Sequence, residues 1–216
     1  MAHAMRLTRV ATVLLVSTAA CATSHPDAPE LDTFPPGVTG ITAVSYYDVH
    51  GRTAQEILAD MARQARSNQA TGFFAETTTP MRWTWRSRGS GSCTVDQVQV
   101  SLRSEVTLPR WTPPPDTVPG VAAQWNAFMA ALALHESGHK DISARHAVEL
   151  RNALRDIHTF CNGVAQEVDR IAQEILARSA ADQKRYDAET RHGVTQGAVF
   201  PARGTRTAAP VQPPVT

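Results

Sequence analysis

An α+β fold is expected for this 216-residue chain: a small antiparallel β-sheet with one short helix, then two long antiparallel helices. Three observations predict it. Residues 38 to about 108 hold runs of β-branched and aromatic residues with alternating polarity. "LPRWTPPPDTVPG", residues 108–120, is a hard break, because no helix survives that density of proline. From Val121 to about Ile157 the apolar spacing becomes helical and no proline interrupts it.

Each element has its own signal. "VTGITAVSYYDV" reads as a first strand, bounded by Gly51. Thr53 and Glu56 form a capping box, after which Ile57, Leu58 and Met61 make one face of a short amphipathic helix. In "FFAETTTPMRWTW", Trp83 and Trp85 alternate with Thr84; past "SRGSGS", Val98, Val100, Leu102, Val106 and Leu108 share one parity. These two stretches read as paired strands joined at the glycine-rich link. A second long helix follows Asn162, with Val164, Val168, Ile171 and Ile175 at helical spacing. The length suits one domain, and there is no internal repeat.

Both ends have a different character. "MRLTRVATVLLVSTAACA" has two arginines, an apolar run from Val10 to Val16 and then small residues, which is the layout of a secretory signal, with Met5 as its start. Thr18-Ala19-Ala20-Cys21 resembles a bacterial lipobox, making Cys21 the candidate lipidation site; ordinary cleavage after Ala20 or Ala22 is the alternative. The expected layout is a signal peptide over 1–21, a tether over 22–37, a folded domain over 38–196 and a disordered tail over 197–216. Either cleavage exports the protein, to the periplasm or to an outer-membrane lipid anchor, which would be its one membrane contact. With 21 Lys and Arg against 20 Asp and Glu and no basic face, nucleic acid is not an expected partner. Cys93 and Cys161 then remain as an even pair in an oxidising compartment, read as one disulfide; thiolate metal ligation lacks a close C-x-x-C pair.

The chemistry concentrates in "ALALHESGHKDISARH", residues 131–146. Residues four apart on a helix lie on one face about 6 Å apart, so His135 and His139 can converge on one ion at about 2.0–2.1 Å each. Glu136 sits about 100° round the helix, where it can reach a water without ligating the metal. This is the H-E-x-x-H arrangement of zinc peptidases: the ion acidifies a water and polarises a carbonyl, and the carboxylate carries the proton to the leaving amine. The histidines share their face with Phe128, Leu132, Ile142, Leu150 and Ile157, so they point at the core, where unpaired imidazoles are costly. The bland alternative is a pair of hydrogen-bonded histidines without metal. Gly138 costs about 1 kcal/mol in a helix interior, which suggests that another backbone or the substrate approaches there, simple tolerance in a long helix being the alternative. His146 shares the face but lies about 10.5 Å further along the axis, too far for the same ion; it reads as core-facing, and His158 as surface.

A catalytic zinc site has three protein ligands and an open position. If the two helices turn near residues 158–161, levels mirror about that turn, and the level of residue 137 faces roughly residue 182. Glu167 and Glu174 are then too distant, and the chain returns to the site only at "RYDAETRHG". His192 is the favoured third ligand, since a third neutral imidazole keeps the ion strongly acidic. Asp187 is the alternative ligand, or a carboxylate that orients a ligating histidine. Tyr186 is the candidate donor to a developing oxyanion.

"HESGHKDI" and "YDAETRHG", with "YYDVHGRTAQEI", "TTTPMRWTW", the cysteine before alternating valines and "LPRW", resemble the bacterial family of predicted secreted zinc-dependent proteases, domain of unknown function 922. The resemblance covers most of residues 40–193. It implies an exported peptidase with one zinc ion, His135, Glu136 and His139 in its site, and Cys93 paired with Cys161. Two other functions compete with a peptidase: a non-enzymatic envelope binding or scaffolding lipoprotein braced by a structural zinc, and a zinc amidase acting on cell-wall material.

Overall fold

Strand β4 (Ser92–Trp111) is the spine of the sheet, and its twenty residues serve two cores. In this computed structural model, which describes residues 33–67 and 74–202, the other elements are β1 (Val38–Val49), α1 (Ala54–Ser67), β2 (Glu76–Thr78), β3 (Met81–Ser90), α2 (Val121–Arg155), β5 (His158–Phe160) and α3 (Val164–Thr190). Inward-facing Cys93 and Val95 have odd parity, whereas Val98, Val100, Leu102, Val106 and Leu108 have even parity. The shift falls at Gln97, φ 51°, where the β3 register also slips between Thr84 and Arg86. A bulge there re-phases the strand, so both halves bury their apolar residues.

The sheet is mixed, which corrects the expected antiparallel arrangement. β1 runs parallel to β4, from Val38 opposite Val100 to Val49 opposite Trp111, while β2, β3 and β5 pair with β4 antiparallel. The connection explains it: α1 and the strands after it lie between β1 and β4, and such a crossover permits a parallel return that a hairpin cannot make. The β3–β4 hairpin is as expected, with Ser90 opposite Ser92 around Gly91. The cap of α1 holds too: Glu56 N–H donates to Thr53 Oγ1 at 3.2 Å, while the Glu56 carboxylate reaches back to the Arg52 N–H at 2.7 Å, one residue earlier than in the usual box.

One core packs the first half of β4 against the later turns of α2 and against α3; the other packs its second half against α1 and the first turns of α2. The face predicted for α2 is the buried one, including Phe128, Leu132, Ile142, Leu150 and, just past the helix, Ile157. His135 and His139 fall between the two cores. The Cys93–Cys161 disulfide ties the start of β4 to the turn between α2 and α3. Closing a loop of that length stabilises by roughly 4 kcal/mol in the chain-entropy model.

The folded part reaches beyond 38–196 at both ends, correcting the expected boundaries. Phe34 packs on the first core, and the Thr33 carbonyl accepts from the buried Lys140 ammonium at 3.2 Å. Phe200 is buried against Trp125 and Phe128, with ring centroids 5.5 and 5.6 Å away. One aromatic in a proline-rich segment is enough to anchor it, since burying such a ring is worth about 1.5–3 kcal/mol. The signal peptide, Cys21, residues 22–32 of the tether and residues 203–216 lie outside the described residues. Among the described residues, no helix is long and apolar enough to cross a membrane.

Candidate metal centre

The α2–α3 hairpin sets the site by its levels. His139 meets Gln183, His146 meets Asp182, and Glu149 meets Arg178, an antiparallel progression that brings "RYDAETRHG" beside "HESGH". Nε2 of His135 and Nε2 of His139 lie 3.4 and 3.0 Å from Oδ1 of Asp187. These three residues form a group whose ligand atoms lie within 4.8 Å of one another. Atoms about 2.0–2.1 Å from one ion in tetrahedral arrangement are about 3.3–3.4 Å apart, close to the two histidine–aspartate spacings.

Hydrogen bonds on the far side of each ring fix the tautomers. Gln183 Nε2 donates to the His139 carbonyl at 2.9 Å and to Ser143 Oγ at 3.0 Å, so its Oε1 is what faces His139 Nδ1 at 2.6 Å. Gln196 Nε2 donates to the Tyr186 hydroxyl at 3.0 Å, leaving its Oε1 to accept from His135 Nδ1 at 3.0 Å. Each Nδ1 is therefore a donor, and each Nε2 turns a lone pair toward the Asp187 carboxylate. Lone pairs facing a carboxylate oxygen at this range repel unless a cation, a proton or a metal ion, lies between them. Burial, and then the neighbouring His139, hold the His135 imidazole below its usual pKa, which disfavours the proton. Two imidazoles and a carboxylate gathered this closely are a donor set that could hold a metal ion, and the two glutamines stand where partners that orient such histidines would.

Glu136 is buried beside this group, and its Oε2 accepts from Thr77 Oγ1 at 2.7 Å. Pairing of Thr77 with Val106 of β4 is what carries the hydroxyl to the helix. Burial pushes the Glu136 carboxyl above its ordinary value of 4.5, against the Thr77 hydrogen bond. A carboxyl raised in the folded state stabilises the fold below its unfolded pKa, and that contribution is lost as pH rises through the folded value. Chelator-treated Glu136→Gln should therefore melt above chelator-treated wild type at pH 7, with the gap closing below about pH 4. Equal melting at pH 7 would contradict the burial argument.

A cleft of about 600 Å³ opens onto Glu136, His135, His139 and Asp187. Phe74, Phe128 and Leu132 give it an apolar wall, and Arg191, His192 and Val194 line it from the turn after α3.

Two of the expected site residues lie outside that group of three. His192 follows the end of α3, after Arg191 has turned left-handed at φ 50°, so it sits at the rim with its side chain 42% exposed. Its Nδ1 lies 3.3 Å from Asp187 Oδ1, outside the group of three that Asp187 completes. Tyr186 does not line this cleft, where its reading as an oxyanion donor would place its hydroxyl. Its ring stacks on His135 at 5.1 Å and 13°, and its hydroxyl donates to the His135 carbonyl at 3.2 Å. Tyr186 braces the His135 ring on the side away from Asp187.

Gly138 and Gly193 permit this packing. A Cβ on Gly138 would overlap the Tyr186 hydroxyl and ring, and one on Gly193, at φ 82°, would stand 3.1 Å from His135 Cγ. Gly138→Ala should lower stability by about 1–3 kcal/mol through overpacking, despite the better helix propensity of alanine. A raised melting temperature would contradict the stacking of Tyr186 on this turn. His146 is buried between Glu149 and Asp182, each 2.9 Å from one ring nitrogen, and His158 is exposed, both as the sequence indicates. The sequence alone does not single out Thr77, Gln183 or Gln196. The mirrored levels point at Gln183, while a threonine among three and a glutamine beyond α3 carry no local signal.

Together these features define a mixed α+β protein with a His-His-carboxylate group, able to hold a metal ion, on the floor of an open cleft. The chain belongs to a family described as bacterial protein of unknown function (DUF922), whose profile matches residues 44–193 and so spans the group and both long helices. No curated protein and no solved structure matches it.

Proposed function

We propose that this protein is a zinc-dependent metallopeptidase exported to the bacterial cell envelope, with Glu136 as general base. One observation carries the reading: Nε2 of both histidines converges on Asp187 Oδ1, at 3.4 and 3.0 Å, while Glu136 lies buried beside them on a cleft. His135, His139 and Asp187 would hold the ion, with Asp187 taking the place first assigned to His192. Zinc in such a site supplies a Lewis acid that brings the pKa of a water to about 7 and polarises a carbonyl.

The chain's own groups do the rest. Glu136 accepts a proton from the attacking water and passes it to the leaving amine, and the Thr77 hydroxyl keeps its carboxylate in one orientation. Gln183 and Gln196 hold the histidine rings in the tautomer that leaves Nε2 available. The apolar wall seats an apolar substrate side chain and excludes water. The disulfide and the signal-like N-terminus support export. His192 Nδ1, 3.3 Å from Asp187 Oδ1, favours one competing reading, a fourth ligand closing a structural site in a scaffolding lipoprotein.

Stripping metal with a chelator should abolish cleavage of an unstructured protein such as casein, and one equivalent of zinc should restore it. Cleavage that survives complete stripping, or no cleavage at any zinc loading, contradicts the peptidase reading.

A further inference from the structure

The structure assigns to Arg191 a specificity-determining role: its guanidinium takes a carboxylate of the substrate in the cleft. This rests on the hydrolase reading of the same site but adds the chemical class of what it binds.

Arg191 is the one arginine or lysine among the cleft-lining residues. It is exposed, and among the described residues its side chain makes no ion pair and no hydrogen bond. The acids of the cleft do not neutralise it. Asp187 faces three imidazoles, Glu136 holds the Thr77 hydroxyl, and Glu76, also in the lining, forms no ion pair with it. A cation that none of the cleft's own acids pairs with is available to an anion from outside.

The backbone beneath it points the same way. Arg191 (φ 50°, ψ 50°) and His192 (φ 53°) are consecutive left-handed residues before Gly193 (φ 82°), a conformation that favours glycine and costs other residues about 1–2 kcal/mol each. Hydrogen bonds hold the turn: His192 N–H to the Asp187 carbonyl at 2.9 Å, and Gly193 N–H to Thr190 Oγ1 at 3.3 Å. The guanidinium therefore stands on a fixed turn four residues after Asp187, and its planar fork suits a carboxylate in two-point contact. Strain at a cleft is a pointer to function when the surrounding bonds over-determine it, as they do here.

Two sources supply such a carboxylate in a peptide: its C-terminus, or an Asp or Glu side chain. The zinc-loaded Glu136→Gln protein, which should hold peptides without cleaving them, separates the two. Labelled octapeptide libraries are made as C-terminal acids or amides, each with or without Asp and Glu, and binding is read by fluorescence anisotropy. One carboxylate source should strengthen binding at least about tenfold. Adding Arg191→Ala should remove the preference, and Arg191→Lys should keep part of it. Arg191→Gly, which relaxes the left-handed turn, should remove it with no loss of zinc or melting temperature, assigning the effect to the guanidinium. No carboxylate preference with Arg191 present, or a preference that survives both Arg191→Ala and Arg191→Gly, overturns the inference. A preference in the absence of any wild-type cleavage would sink the peptidase reading and leave a carboxylate-binding cleft; cleavage without preference would do the reverse.

Discussion

Glu136→Gln is expected to keep one zinc ion per chain and to lose peptide cleavage by roughly 10²- to 10⁴-fold, the range that general acid–base catalysis supplies. The amide has the carboxylate's shape, and its carbonyl oxygen still accepts from Thr77 Oγ1, so the wall of the cleft stays in place. What it loses is the ability to take a proton. Glu136 lies outside the group formed by His135, His139 and Asp187, so zinc content should not fall. Zinc binding and rate are measured on the same preparation. Undiminished cleavage would remove Glu136 from the chemistry, and loss of zinc would make it a ligand.

Asp187→Ala should weaken zinc binding more than 100-fold, and His192→Ala by about tenfold, the effect of losing a residue that orients a ligand. The ordering follows from geometry. Asp187 Oδ1 lies within 3.4 Å of Nε2 of both site histidines, whereas the His192 side chain, with Nδ1 3.3 Å from Asp187 Oδ1, lies at the rim. Competitive titration against a chromophoric chelator reads both variants. The reverse ordering would restore His192 as third ligand.

The helical half of the fold was legible because its signals are local. Proline density stops the strands, 3.6-residue periodicity picks out the buried face of α2, and equal rise per residue on two antiparallel helices brings residues near 182 to the level of 137. His135, Glu136 and His139 followed from spacing, and that level argument reached the segment holding Asp187. It could not choose between Asp187 and His192, because the choice depends on where α3 ends: helix through Thr190 keeps Asp187 facing His139, and the left-handed turn at Arg191 carries His192 outward. Strand direction was not legible either. Alternation marks β1 and β4 as strands, but whether they run parallel depends on a crossover through α1 that no single segment encodes. A tyrosine near a zinc motif has oxyanion chemistry available to it; the missing side chain at Gly138, which the sequence suggests for a backbone or the substrate, is filled by the Tyr186 ring.

A crystal structure of zinc-loaded Glu136→Gln, with the ion located by its anomalous scattering, tests the central claim most directly. The account predicts zinc about 2.0–2.2 Å from Nε2 of His135, Nε2 of His139 and a carboxylate oxygen of Asp187, with a water completing the shell on the side of residue 136. An ion bound elsewhere, or one enclosed by four protein ligands including His192 with no water, would contradict it.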